Sequence, residues 1–108
     1  MYIDASWLSS SYYNNMKNYN EIRGIRSEID RLDRSLIDLL GQRNEYIRQL
    51  VELKTEVGEV WSKERVDEII KSRVEWAMEL GVNASLVEEI YKRIIVDSII
   101  IQIKKMGA

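Results

Sequence analysis

Several polar side chains fall on helical stripes that are otherwise apolar, and they are Arg26, Arg43, Lys54, Ser98 and Gln102. Arg43 follows Leu39 by four residues and precedes Ile47 by four, which places all three side chains on one helix face. A buried cation is costly unless it has an anionic partner or reaches water. The two arginines and the lysine among these residues therefore each need an anionic partner or a path to water.

Two interpretations of these polar residues are open. Each cation taken singly is most simply part of a buried ion-pair network, with Asp30, Asp33, Asp38 or Asp97 as its partner. Taken together, the five positions favour a cavity that is lined with donors and binds an anionic ligand. An arginine fork suits a carboxylate, while lysine and glutamine donate hydrogen bonds to ether or hydroxyl oxygens.

The composition excludes most other kinds of site. Histidine and cysteine are absent from the 108 residues. Disulfides, the usual zinc, haem and iron–sulfur ligand sets, and the Ser-His and Cys-His catalytic pairs are therefore excluded. We expect neither a metal nor a cofactor. The formal net charge of −2 gives no support to a general nucleic-acid binder.

The chain also lacks the marks of a membrane or secreted protein. Its longest aliphatic runs have three residues, far short of the about 20 residues that a membrane span needs. No basic region followed by an apolar stretch is visible at the N-terminus, so no secretory signal is recognised. The sequence predicts a cytoplasmic protein that has no membrane partner.

A long first helix is predicted from about Asn20 to about Val57. Its apolar positions recur at spacings of three and four, and they begin with Ile22, Ile25, Ile29, Leu32, Leu36 and Leu39. Residues 1–19 are rich in serine, asparagine and tyrosine and show no helical period. We predict that they form an N-terminal extension, flexible or loosely packed, to a helical domain of residues 20–108.

Two shorter helices follow in the prediction. One runs from about Lys63 to Leu80, with Ser62 as its N-cap and Gly81 just beyond its end. The other begins near Ser85, where the segment from Ser85 to Glu88 reads as a capping box, and it reaches about Lys105. The predicted fold class is all-α, with one long helix, two shorter helices and no strands.

The length of the first helix predicts a partner. At 1.5 Å per residue it spans roughly 55 Å, whereas a compact domain of this size has a radius of gyration of about 13 Å. Two short helices cannot cover such a stripe, so we expect an intertwined homodimer with the long helices side by side. The alternative is a break near Gly41, which would give a monomeric four-helix bundle.

The distribution of these residues resembles the all-helical chorismate mutase family. The resemblance spans about residues 22–105 and rests on IRSEIDRLD at residues 25–33, LLGQR at 39–43, Lys54, ER at 64–65 and IIVDSIIIQ at 94–102. The family includes chorismate mutases and isochorismate pyruvate lyases. It implies an intertwined homodimer of three-helix subunits that rearranges a small dicarboxylate in a pericyclic step, without a metal.

The resemblance also implies a role for each polar position. Arg43 and the partner subunit's Arg26 would bind the two substrate carboxylates, with assistance from Ser98. Lys54 and Gln102 would donate hydrogen bonds to the ether oxygen, where negative charge grows as the C–O bond breaks. Glu64 would approach the ring hydroxyl.

The choice of substrate depends on sequence details in which chorismate mutases and isochorismate pyruvate lyases differ. Asp97 and Ser98 followed by Gln102 resemble the chorismate mutases of aromatic amino-acid synthesis, so we predict conversion of chorismate to prephenate. The short connection from Lys54 to Glu64, and RVEWA at residues 73–77, resemble the isochorismate pyruvate lyase branch, which forms salicylate. An aminodeoxychorismate mutase is a third possibility, and the non-enzyme alternative is a helical dimerisation module whose cations pair internally.

Overall fold

The structure is a computed structural model that describes residues 6–53 and 62–107, with side chains described from residue 18 onward within these ranges. Three helices make up the described chain: α1 (Ser6–Leu53), α2 (Lys63–Glu79) and α3 (Ala84–Lys105). No strand occurs in these ranges, which confirms the predicted all-α class with one long and two shorter helices. The predicted end of the first helix at Val57, and Lys54, lie outside the described residues.

Helix α1 begins at Ser6, so the predicted start at about Asn20 was wrong. Residues 6–19 contain neither proline nor glycine. Serine, asparagine and tyrosine each cost only a few tenths of a kcal/mol (~0.5) relative to alanine in a helix. Extension of an existing helix is far easier than nucleation of a new one, so a polar segment without helical periodicity can continue it.

Gly41 does not interrupt α1, which stays helical to Leu53. A helix-interior glycine costs only about 1 kcal/mol relative to alanine, which is too little to end a long amphipathic helix. The alternative of a helix broken near Gly41 is therefore wrong. The intertwined homodimer stays a prediction.

Helix α2 has the predicted capping residues at both ends. The Ser62 hydroxyl accepts a hydrogen bond from the backbone N–H of Arg65 at 3.3 Å. At the other end Gly81 adopts a φ of +70°, and the Val82 N–H donates to the Ala77 carbonyl at 2.8 Å. This C-terminal motif requires a left-handed residue, which glycine provides without steric cost.

Helix α3 begins one residue earlier than predicted, and a different side chain caps it. Asn83 is the N-cap, and its side-chain oxygen accepts from the Leu86 N–H at 3.2 Å. The predicted capping box from Ser85 to Glu88 was wrong, because Ser85 already lies inside the first turn. Asparagine and serine are equally good N-caps, so residue type alone does not separate Asn83 from Ser85. The predicted end at Lys105 is confirmed.

The chain divides into two compact units, Met1–Leu40 and Gly41–Ala108. In the unit Gly41–Ala108, α2 packs against α3, and the buried apolar side chains are Val51, Ile69, Ala77 and Ile95. Ser98 and Gln102 are buried with them. In the unit Met1–Leu40 the described apolar side chains of α1 are exposed. Among the described helices none is long and apolar enough to cross a membrane.

Candidate functional site

A pocket in the unit Gly41–Ala108 receives side chains from all three helices. The C-terminal part of α1, the N-terminal turns of α2 and the C-terminal half of α3 contribute to its wall. Its lining residues are Arg43, Ile47, Leu50, Ser62, Arg65, Val66, Ile69, Ile95, Ser98, Ile99 and Gln102. The wall is thus mostly aliphatic, with a few donor groups set into it, which is the usual make-up of a small-molecule site.

The polar centre of this pocket is a contact between α1 and α3. The Arg43 guanidinium donates from Nη1 to the Ser98 hydroxyl at 2.6 Å. Ser98 in turn donates its hydroxyl hydrogen to the Ile94 carbonyl at 2.9 Å. Because the hydroxyl proton is directed to the helix backbone, its oxygen lone pairs are presented to Arg43. Ser98 therefore orients the guanidinium.

The electrostatic surroundings of Arg43 favour an anion. Burial lowers the pKa of Arg43 below its usual value; Tyr91 opposes this shift, and the positive charges of Arg73 and Arg65 add to it. Among the described residues no ion pair includes Arg43. An arginine remains charged at neutral pH even when it is partly buried. A half-buried positive charge without an acidic partner in the described chain is thus held inside the pocket.

Gln102 places an amide group in the wall of the same pocket. The side chain is only 4% exposed, and its Nε2 donates to the Ser98 carbonyl one turn earlier at 3.2 Å. That hydrogen bond fixes the orientation of the amide plane. A buried amide of this kind is a polar group of the pocket that carries no charge.

A second arginine lies between α2 and α3 and does not line the pocket. The Arg73 guanidinium is 4.6 Å from the ring centroid of Trp76 and 5.5 Å from that of Tyr91. It donates from Nη1 to the Ser72 hydroxyl at 2.9 Å, whereas its Nε is buried and has no hydrogen-bond partner. Arg73 adds positive potential to the site, because its charge acts on Arg43.

The structure brings together three of the residues predicted for the site, namely Arg43, Ser98 and Gln102. Glu64 lies in the first turn of α2, where its side chain is exposed and does not line the pocket. Arg26 is an exposed residue of the unit Met1–Leu40. Lys54 lies outside the described residues.

Sequence reasoning missed two polar residues of the pocket wall, Ser62 and Arg65. Ser62 was predicted only as a helix cap. Arg65 stood next to Glu64 in the motif, but no role was assigned to it. The signal that would have found Arg65 is its place in the first turn of α2, three residues after the cap.

No cluster of acidic side chains in the described part of the chain is placed to hold a metal ion. The polar groups that line the described pocket are the guanidinium groups of Arg43 and Arg65, the hydroxyls of Ser62 and Ser98 and the amide of Gln102, set into an apolar wall. Such a set can bind a carboxylate and donate to a neutral or partly negative oxygen. Among the described lining residues, no carboxylate stands beside a hydroxyl to activate it as a nucleophile.

Known proteins resemble most of this chain. Residues 25–103 match the chorismate mutase type II family. The chain is 35% identical over 71 residues to an isochorismate pyruvate lyase of Pseudomonas aeruginosa, which covers 66% of this chain and 70% of the lyase. It is 33% identical over 79 residues to the T-protein of Enterobacter agglomerans and 33% identical over 78 residues to that of Haemophilus influenzae. These matches cover 72% and 71% of this chain but only 21% of each T-protein.

Proposed function

This chain belongs to the chorismate mutase type II family, and we propose that it converts chorismate into prephenate. In this rearrangement the ether C–O bond of the enolpyruvyl group breaks while a C–C bond to the ring forms. No atom leaves, and no proton is transferred. The catalyst has to hold a flexible dianion in a reactive conformation and stabilise the negative charge that develops on the ether oxygen.

The observation that carries this proposal is the half-buried Arg43, which is oriented by Ser98 and has no acidic partner in the described chain. A carboxylate of the substrate would complete this arrangement through charge-assisted hydrogen bonds. The non-enzyme alternative requires internal acids that neutralise the core cations. Arg43 has none among the described residues, which favours a ligand over a purely structural role.

Gln102 is proposed to meet the second requirement, which is to stabilise the negative charge that develops on the ether oxygen. Its amide lies in the same pocket wall as Arg43 and is oriented by the Ser98 carbonyl. We assign it a hydrogen bond to the ether oxygen, which strengthens as the C–O bond breaks. An interaction that is stronger in the transition state than in the ground state accelerates the chemical step. Lys54 is proposed to act on the same oxygen, and Glu64 on the ring hydroxyl.

The proposed active form is an intertwined homodimer. Chorismate carries two carboxylates, and Arg43 can bind one of them. We assign the other to the partner subunit's Arg26, on the basis of the family resemblance. The exposed apolar side chains of α1 around Arg26 support a helix partner there, because contiguous apolar surface of this kind marks interaction sites.

A second candidate activity is isochorismate pyruvate lyase. It is favoured by the similarity to the Pseudomonas lyase over 70% of that protein's length. In this reaction the ether C–O bond breaks, and a ring hydrogen moves to the methylene carbon of the enolpyruvyl group, which gives salicylate and pyruvate. The same carboxylate grip and ether-oxygen donor serve both reactions, since the charge develops on the same oxygen. The two substrates differ in the position of the ring hydroxyl.

One assay set separates these activities. The purified full chain is incubated in parallel with chorismate, isochorismate and 4-amino-4-deoxychorismate, and products are identified by chromatography. Prephenate from chorismate supports the proposal, whereas salicylate from isochorismate alone supports the lyase. Turnover of only the amino compound would assign a specialised mutase. No product from any of the three would refute an enzyme of this class and favour a dimerisation module.

A further inference from the structure

Arg73 is a positive charge near the pocket that is held without an acid. Its guanidinium lies 4.6 Å from the ring centroid of Trp76 and 5.5 Å from that of Tyr91, which is the range of cation–π contacts. Its remaining described partner is the Ser72 hydroxyl, and its Nε is buried without a partner. Among the described residues no ion pair includes Arg73.

The kind of partner decides how far the charge of an arginine acts. A carboxylate beside it would cancel most of the field at a distance, because the two opposite charges form a dipole. An aromatic ring attracts a cation through its quadrupole and carries no net charge, so the positive potential persists beyond the ring. Arginine is always protonated at neutral pH. Arg73 therefore projects an uncancelled charge into its surroundings.

Arg73 lies one helical turn beyond the pocket on α2, and its ring contact does so on α3. Arg73 follows Ile69 by four residues, and Tyr91 precedes Ile95 by four. Both isoleucines line the pocket and are buried. Four residues of a helix rise by about 6 Å. The space between Arg73 and the pocket is thus filled by apolar side chains, which screen a charge less than water does.

The field of Arg73 reaches the arginine to which a substrate carboxylate has been assigned. Burial lowers the pKa of Arg43, and the positive charge of Arg73 lowers it further. A potential that disfavours a second cation at this place favours an anion there by the same physics. An anion bound at Arg43 would therefore be stabilised by Arg73 as well.

We propose that Arg73 is a positioning residue, whose charge is held between Trp76 and Tyr91 and draws the substrate dianion toward Arg43 from outside the pocket wall. This inference rests on the proposed function, because it assigns a further residue to the same reaction. Substrate and transition state are both dianions, so a charge at this distance stabilises them to a similar extent. Such uniform stabilisation lowers KM and leaves kcat nearly unchanged.

Substitutions of Arg73 test this split between KM and kcat. Arg73→Met removes the charge and keeps an unbranched apolar side chain. We expect KM to rise about fivefold, because one full charge is lost about one helical turn from the pocket, and kcat to change less than about twofold. Arg73→Lys retains the charge and should recover most of the rise in KM. The role depends on the charge rather than on the hydrogen bond to Ser72.

Three results of these substitutions would overturn the proposal. An unchanged KM in Arg73→Met would show that the charge does not act on the substrate. Equal values of KM in the methionine and lysine variants would show that the guanidinium shape matters and not its charge. A loss of kcat larger than the rise in KM would indicate that Arg73 only maintains the structure of the site.

A second test leaves Arg73 in place and cancels its charge. Trp76 is 49% exposed, so a polar side chain is tolerated there. Trp76→Glu sets a carboxylate beside Arg73, and Trp76→Gln is its uncharged match. We expect Trp76→Glu to raise KM at least about threefold more than Trp76→Gln does. Equal values of KM in the two variants would contradict the proposal, and this pair decides the question if Arg73→Met does not fold.

Lys71→Met is the matched control for the loss of one positive charge. Lys71 lies two residues before Arg73 on α2, is exposed and does not line this pocket. Water screens its charge, so KM should equal that of the unchanged chain. Equal effects of Lys71→Met and Arg73→Met would overturn the proposal in favour of a general charge effect.

The proposed function and this inference can fail separately. If the unchanged chain turns over chorismate or isochorismate but Arg73→Met leaves KM unaltered, only the inference is wrong. If neither substrate is turned over, the proposed function fails, and calorimetric titration with chorismate decides the inference. Weaker binding by Arg73→Met with recovery in Arg73→Lys would then support it. Equal binding by all three chains, or no binding by the unchanged chain, would overturn it. Circular dichroism of each variant checks that it is folded.

Discussion

The two units of this chain share the same helical periodicity of apolar residues but differ in how far those residues are buried. In the unit Met1–Leu40, the stripe residues Ile25 and Leu36 are 62% and 60% exposed. In the unit Gly41–Ala108, Ile69 and Ile95 are 8% and 6% exposed, because α2 and α3 cover each other. A stripe with spacings of three and four therefore specifies which face of a helix is apolar, but it does not specify what covers that face.

Burial of the exposed apolar stripe of α1 would contribute a large stabilising free energy. Complete burial of a leucine or isoleucine side chain contributes roughly 1.5–3 kcal/mol. In the described part of α1 up to Leu40, the exposed side chains on this stripe are Ile22, Ile25, Ile29, Leu32, Leu36 and Leu39. This is the physical basis of the proposed homodimer. The unit Gly41–Ala108, by contrast, holds a pocket with its own oriented polar groups.

The largest expected effect tests the pocket of the unit Gly41–Ala108. Arg43→Met removes the proposed carboxylate contact, so kcat/KM should fall about a hundred- to a thousandfold. The melting temperature should stay the same or rise, because a partly buried charge is removed and no acid is left unpaired. Steady-state kinetics and thermal unfolding measure the two effects.

Arg48→Met is the control for Arg43→Met. Arg48 lies on the same helix, is exposed and pairs with Glu45 at 3.5 Å. Its kinetics and stability should be nearly unchanged, since an exposed ion pair is worth only about 0–1 kcal/mol. A large loss of stability in Arg43→Met, with little loss of activity, would instead point to a structural role for Arg43.

The next largest effect tests the stripe in the unit Met1–Leu40. Leu32→Asp places a charge on the proposed dimer face, and a symmetric dimer contains the change twice. Loss of at least about 1.5 kcal/mol at each copy should raise the dimer Kd by about a hundredfold or more. Sedimentation equilibrium measures the Kd, and activity should fall with the dimer.

Ser27→Asp provides the control on the opposite face. Ser27 is exposed on α1 and lies beside Asp30 and Arg31 rather than on the apolar stripe. The dimer should tolerate this change. If the chain sediments as a monomer before any substitution, or if both variants associate equally well, the proposed homodimer is wrong.

A smaller effect is expected when the orientation of Arg43 is lost. Ser98→Ala removes the hydroxyl that accepts from Arg43. Hydrogen bonds to charged groups contribute about 1.5–3 kcal/mol, so kcat/KM should fall tenfold or more. Activity measured against substrate concentration separates an effect on KM from one on kcat.

Ser72→Ala is a close match for that variant. Ser72 also accepts a hydrogen bond from an arginine, Arg73, and also donates to a backbone carbonyl of its own helix, that of Ile69. It does not line the pocket. Comparable losses of kcat/KM in Ser98→Ala and Ser72→Ala would show that the Ser98 contact serves stability rather than catalysis.

The smallest effects compare the same substitution in the two units. Gly24→Ala lies in a helix with no atom within 4 Å of the added carbon, so it should stabilise the chain by about 0.5–1 kcal/mol. Gly81→Ala lies at a φ of +70° and should destabilise by about 1–2 kcal/mol. Urea unfolding measures both. A destabilising Gly24→Ala would indicate that another chain approaches the α1 backbone there.

Much of the fold was predictable because its determinants are local. The cap at Ser62, the left-handed glycine at position 81 and the end of α3 at Lys105 all follow from short-range backbone hydrogen bonding. The errors have a local origin as well. The start of α1 at Ser6 was missed because helix extension needs no periodicity, and Asn83 was missed because Ser85 matched an equally good capping pattern.

The sequence by itself determined three helices, the inward faces on which Arg43, Ser98 and Gln102 lie and the absence of histidine and cysteine chemistry. These properties depend on residue type and on the 3.6-residue repeat of a helix, neither of which requires knowledge of packing. Only the tertiary structure decided that Arg43 meets Ser98, 55 residues later, and that Arg65 rather than Glu64 lines their pocket. Contacts between helices depend on how side chains interlock across an interface, and a helical repeat carries no information about the partner that fills its grooves.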